Sequence, residues 1–264
     1  MKPKLAVLAV GSFLILASCD AFFSTNLFKE AGLGQVKPSD LTEMSSDDLF
    51  EAAYFEGGTS STFMEALPYD STVQTVVLAT LQTTYNDSLA APVARQEAAA
   101  LAVDILIETS GASAIVKEVI PAIVGGLDLP SIDTPEEIVD LVELVVPAEL
   151  RADMVAFKTA IAALLRADAV LTNPAGVETL IEGSGVSGDY SVGTLAQNAV
   201  VAAAVAGVSP VSGTIEDALW SAVTDSSNAA SYINSTYNAP DLASGSMLNI
   251  LLTEAGLDPS KFGY

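Results

Sequence analysis

The chain has 264 residues, 50% of them hydrophobic, and a formal charge of −23 at pH 7 from 33 acidic and 10 basic side chains. With no histidine and one cysteine it has no Ser-His-Asp or Cys-His nucleophile system, no His-ligated zinc and no internal disulfide. Its acidity repels phosphate backbones and anionic headgroups, which argues against nucleic acid and charge-driven membrane binding, while its length and apolar content suffice for a core without a cofactor.

In chain order, Lys2 and Lys4 form a short basic region and Leu5 to Leu16 an apolar segment broken by Gly11 and Ser12. At about twelve residues the segment is too short for the roughly twenty that span a bilayer core, and it ends in small residues. It reads as an export signal, residues 1–18. The closing Leu16-Ala17-Ser18-Cys19 resembles the lipobox of bacterial lipoproteins. That resemblance implies cleavage before Cys19, a diacylglyceryl group on its thiol, and a mature domain anchored outside the cytoplasm. Asp20 is similar to the inner-membrane retention mark of enteric lipoproteins.

Residues 19–38 read as a lipidated tether. Phe22, Phe23 and Phe28 place three of the nine phenylalanines beside the anchor, where the rings either rest at the headgroup boundary or dock on the folded domain. Gly32, Gly34 and Pro38 then mark a loop. The tether resembles those of predicted spirochaete lipoproteins.

Residues 39–264 read as one all-helical domain. Asp70 precedes a helix from Ser71 to Tyr85, and an apolar, alanine-rich helix is expected over Val93 to Glu108. In Thr134-Pro135-Glu136-Glu137, Thr134 caps, Pro135 occupies the first helical position and Glu137 completes a capping box. Ile138, Leu141, Val142 and Val145 then follow at helical spacing, and Pro147 ends the helix. Asn173-Pro174 opens a helix to Glu182, Leu195 to Ala206 forms a second apolar helix, and Thr214 with Asp217 starts the segment running to Tyr237. No sustained two-residue alternation argues for a sheet.

The class is all-α with roughly ten helices. The passages Val93 to Ile120, Val155 to Glu182 and Gln197 to Val223 each open on an alanine-rich helix, with Ala98, Ala160 and Ala199 at compatible places. This loosely resembles tetratricopeptide-like helical solenoids, so the architecture is either an irregular multi-helix bundle or an array of helical hairpins.

Among chemical motifs, Gly183-Ser184-Gly185-Val186-Ser187-Gly188 matches the dinucleotide fingerprint in letters, but it follows a helix instead of a strand and reads as a loop. Glu136, Asp140 and Glu143, and likewise Glu97, Asp104 and Glu108, line helix sides and read as solvated faces. As a carboxylate pair for glycoside cleavage they would have to flank a cleft. Trp220, Tyr232 and Tyr237 would splay around one continuous helix. They line a pocket, with Asn234 and Asn238, only if Asp225-Ser226-Ser227-Asn228 breaks it; otherwise they are rim packing.

No metal site, cofactor or catalytic residue is expected. The expected function is a non-catalytic binding or adaptor module, lipid-anchored in the cell envelope and meeting a membrane-associated protein partner. The alternatives are a carrier of a small apolar ligand or lipid, and a carboxylate-dependent cell-wall glycan hydrolase.

Overall fold

The computed structural model describes residues 37–55, 58–124, 134–173, 192–238, 240–241, 246–256 and 258–259. Cys19, Phe22, Phe23, Phe28, the expected helix Ala175 to Glu182 and the Gly183–Gly188 segment lie outside them. A compact unit begins at Pro38 and runs to Tyr264.

Twelve α-helices appear among the described residues: α1 Pro38–Leu41, α2 Ser46–Ala53, α3 Ser61–Glu65, α4 Thr72–Asn86, α5 Pro92–Ser110 and α6 Ala112–Val124, then α7 Pro135–Val145, α8 Ala148–Arg151, α9 Met154–Leu171, α10 Val192–Ala206, α11 Ile215–Thr224 and α12 Met247–Glu254. The described strands are β1 Tyr54–Phe55 and β2 Gly58–Thr59, paired antiparallel. The fold is an all-α, multi-helix bundle.

Local chemistry explains the helix starts. Ser71 caps α4, its hydroxyl accepting from the Gln74 backbone N–H, so the helix starts one residue later than Asp70 suggested. Asp70 instead takes the left-handed conformation at φ 60° and donates its backbone N–H to Gln74 Oε1 at 2.7 Å. The Thr134–Glu137 capping box forms as read, with Thr134 N–H donating to the Glu137 carboxylate at 2.9 Å. Ile138, Val142 and Val145 are buried on α7, joined by Val139, while Leu141 is half-buried.

Helix α5 is buried at every position from Ala98 to Val103 and again from Ile105 to Ile107, so it has no solvent face there. It ends at Gly111, whose φ of 83° only glycine adopts freely, and α6 leaves at 101°. Among the described residues no single helix is long and apolar enough to cross a membrane.

The bundle is built around α9, which packs most extensively against α5 and α10 and also meets α6, α8 and α11. Thus the three alanine-rich helices of the repeated passages lie together, and Ala98, Ala160 and Ala199 are all buried. Their missing side-chain bulk lets neighbouring backbones approach closely. Contact between α5 and α10 as well closes the assembly into a bundle.

The segment after Thr214 is not one helix. It breaks at Asp225, whose carboxylate accepts from Asn228 Nδ2, Ser227 Oγ and Tyr232 OH. Such local side-chain bonding competes with helix propagation. A 3₁₀ turn, Ser226–Ser231, follows. The chain then returns beside residues 207–211: Val211 donates to Tyr232 O, Asn234 to Ser209 O and Asn238 to Gly207 O, all between 2.8 and 2.9 Å.

Candidate functional site

The break at Asp225 turns the chain back, yet the three aromatic residues acquire different partners. Trp220 packs on Phe157 of α9, ring centroids 5.5 Å apart. Tyr232 donates to Asp225 at 3.0 Å, which raises the tyrosine pKa; that of Asp225 is lowered, first by Asn228 and then by Tyr232. Tyr237 reaches the Ala204 carbonyl at 3.1 Å, and burial pushes its pKa up. Asn234 donates to the Pro210 carbonyl at 2.9 Å.

Of the three rings, Tyr237 alone lines the apolar cavity between α6, α7, α9, α10 and α11, whose walls include Ile115, Val142, Ile161, Val201 and Leu219. The cavity holds about 40 Å³, well short of the roughly 300–1,000 Å³ of ordinary ligand pockets.

A larger and chemically mixed cleft of about 240 Å³ lies over α5. Ala102 and Leu106 form its floor, α4 contributes Leu78, Gln82 and Tyr85, and α9 contributes Arg166, Ala169 and Val170. Both α4 and α9 pack extensively on α5, and their side chains wall the cleft. Polar ties join the walls at each end. Arg166 approaches Asp70 at 3.7 Å and stacks 5.8 Å from the Tyr69 ring centroid, and Asn173 Nδ2 donates to Asn86 Oδ1 at 2.7 Å. Tyr85 is only 5% exposed, and burial raises its pKa.

The acidic stripes differ from one another. Glu136, Asp140 and Glu143 are exposed, as read. Asp104 departs from the solvated-face reading: it turns inward, accepting from Tyr54 OH at 2.5 Å and from Asn198 Nδ2 at 3.4 Å. This joins the end of α2, α5 and α10. Burial raises its pKa from 3.8 to about 6; the Tyr54 bond opposes the shift and Glu108 adds to it. Asp104 lines neither of the two cavities described. No group of three potential metal ligands occurs among the described residues.

The sequence does not mark Tyr85, Gln82, Arg166 or Asn173 as functional residues. The tie between Asn86 and Asn173 joins residues 87 positions apart, and no local motif foretells it. The one available signal was Arg166, a cation inside the alanine- and leucine-rich stretch Ala160 to Val170. No protein-family model, curated protein or solved structure matches the chain.

Proposed function

We propose that this is a lipid-anchored, non-catalytic binding module of a bacterial cell envelope, held through Cys19 and presenting its helical domain to a membrane-associated partner. The observation that carries the reading is the order of parts: a lipobox-like Leu16–Cys19, a short linking segment, and a compact unit beginning at Pro38. The link allows a reach of about 65 Å at full extension. Anchoring confines the domain near the membrane and raises its effective concentration toward anything else held there.

The test is cross-linking of the full-length protein in its own membrane, followed by mass spectrometry, with Cys19→Ala as control. A stoichiometric protein partner that disappears in the control is the expected result. Equal recovery of the same partner with both chains would remove any role for the anchor.

A second reading, a carrier of a small apolar ligand or lipid, is favoured by the apolar cavity beside Tyr237. At about 40 Å³ it would have to widen by movement of α6 or α7 to admit an acyl chain. A lipid that co-purifies stoichiometrically, and is lost when Val201→Trp fills the space, would support the carrier.

A further inference from the structure

We propose that the cleft over α5 is a binding site for a small organic carboxylate with a short apolar body, the carboxylate meeting Arg166 and Tyr85 and the body lying on Leu106 and Val170. The site stands apart from the anchoring proposal, because nothing in it depends on Cys19.

Its composition runs against that of the chain. Acidic residues outnumber basic ones by 33 to 10, yet the described residues that line the cleft include one arginine and no carboxylate. Asp168, two positions beyond Arg166, points about 200° around the helix from it. Among the described lining residues a carboxylate ligand therefore meets donors and no acid.

Tyr85 supplies the second observation. It is 95% buried by its 5% exposure, it lines the cleft, and its hydroxyl has no hydrogen-bond partner among the described residues. Its backbone carbonyl, by contrast, is taken by Arg95 Nε at 3.2 Å. The hydroxyl reaches the solvent of the cleft, so it can donate to a ligand there without first breaking a protein hydrogen bond. Burial also keeps this hydroxyl protonated, hence a donor to an anion.

Arg166 is prepared for exchange. Its ion pair with Asp70 is long at 3.7 Å, and the Asp70 side chain is 80% exposed, so solvent screens the pair and it holds weakly. A ligand carboxylate can replace Asp70 and use the guanidinium fork with two parallel bonds. The amide of Gln82 offers a further donor, and Leu78, Leu106 and Val170 provide the apolar surface.

The experiment titrates full-length protein in detergent with hexanoate and with hexan-1-ol, observing binding by saturation-transfer NMR. Hexanoate is expected to bind at least about tenfold more tightly than the alcohol. Arg166→Gln, at a partly exposed position that leaves the core intact, is expected to weaken hexanoate about tenfold without changing the alcohol. Tyr85→Phe is expected to weaken it severalfold, with an unchanged circular dichroism spectrum. Equal affinity for acid and alcohol, no hexanoate binding at millimolar concentration, or unchanged hexanoate affinity in Arg166→Gln would each overturn the proposal.

Discussion

At the residue scale, Gly207 and Asp104 carry constraints that their neighbours do not. A Cβ on Gly207 would lie 2.1 Å from the Asn238 carbonyl oxygen, because the returning chain donates the Asn238 N–H to Gly207 O. Gly207→Ala must push that strand away. A loss of about 1–3 kcal/mol is expected, measured by urea denaturation. In the sequence this glycine stands directly after Ala206, where the expected helix ends. The steric reason is invisible there, since residues 232–238 return to it only after the break at Asp225. Asp104 shows the same limit. Helical spacing puts it on a stripe with Glu97 and Glu108, and only the arrival of Tyr54 and Asn198 from other elements makes it a half-buried, hydrogen-bonded group.

The raised pKa of Asp104 has a definite sign. Between 3.8 and about 6 the folded state binds more protons at this group than the unfolded chain does. Its contribution to stability is therefore present at low pH, falls as pH rises through that window, and is lost above it. The span amounts to about 3 kcal/mol. In Asp104→Asn that component disappears, so wild type should lose stability relative to the variant on going from about pH 4 to about pH 7. Parallel curves of unfolding free energy against pH would show the carboxyl to be solvated. Removing the opposing bond with Tyr54→Phe should raise the Asp104 pKa further, as read by carboxyl NMR titration.

At the element scale, capping decides where helices begin and close approach decides which become central. Thr134→Ala removes the hydroxyl that accepts from Glu137 N–H and is expected to cost about 1 kcal/mol by chemical denaturation. The wholly legible element is α7, because its signals are local: cap, proline, glutamate and apolar stripe within a dozen residues. The apolar character of α5 and α10 likewise announced burial. What could not be read was which walls they share. The cleft depends on α4 and α9 standing over α5, and its ends are tied by Arg166 to Asp70 and by Asn173 to Asn86. The cavity beside Tyr237 similarly needs five helices in place.

At the scale of the whole molecule, net charge opposes compaction and burial sustains it. A chain at −23 repels itself, and removal of Lys2 and Lys4 with the signal would make the remainder more acidic still. Sodium chloride screens this repulsion over a Debye length of about 10 Å at 0.1 M. The melting temperature should therefore rise with added salt through the low-salt range, measured by calorimetry. A flat response would mean that the acidic groups are already dispersed enough not to repel.

In the proposed arrangement one thiol, that of Cys19, joins this acidic helical domain to a membrane. The most direct measurement is membrane fractionation of wild type and Cys19→Ala, with mass spectrometry of the N-terminal peptide. The wild-type chain is expected to begin at Cys19, carry a diacylglyceryl group and sediment with membrane, while the Cys19→Ala protein is expected to be folded and to enter the soluble fraction. An unmodified cysteine on a chain that remains in the membrane would contradict it.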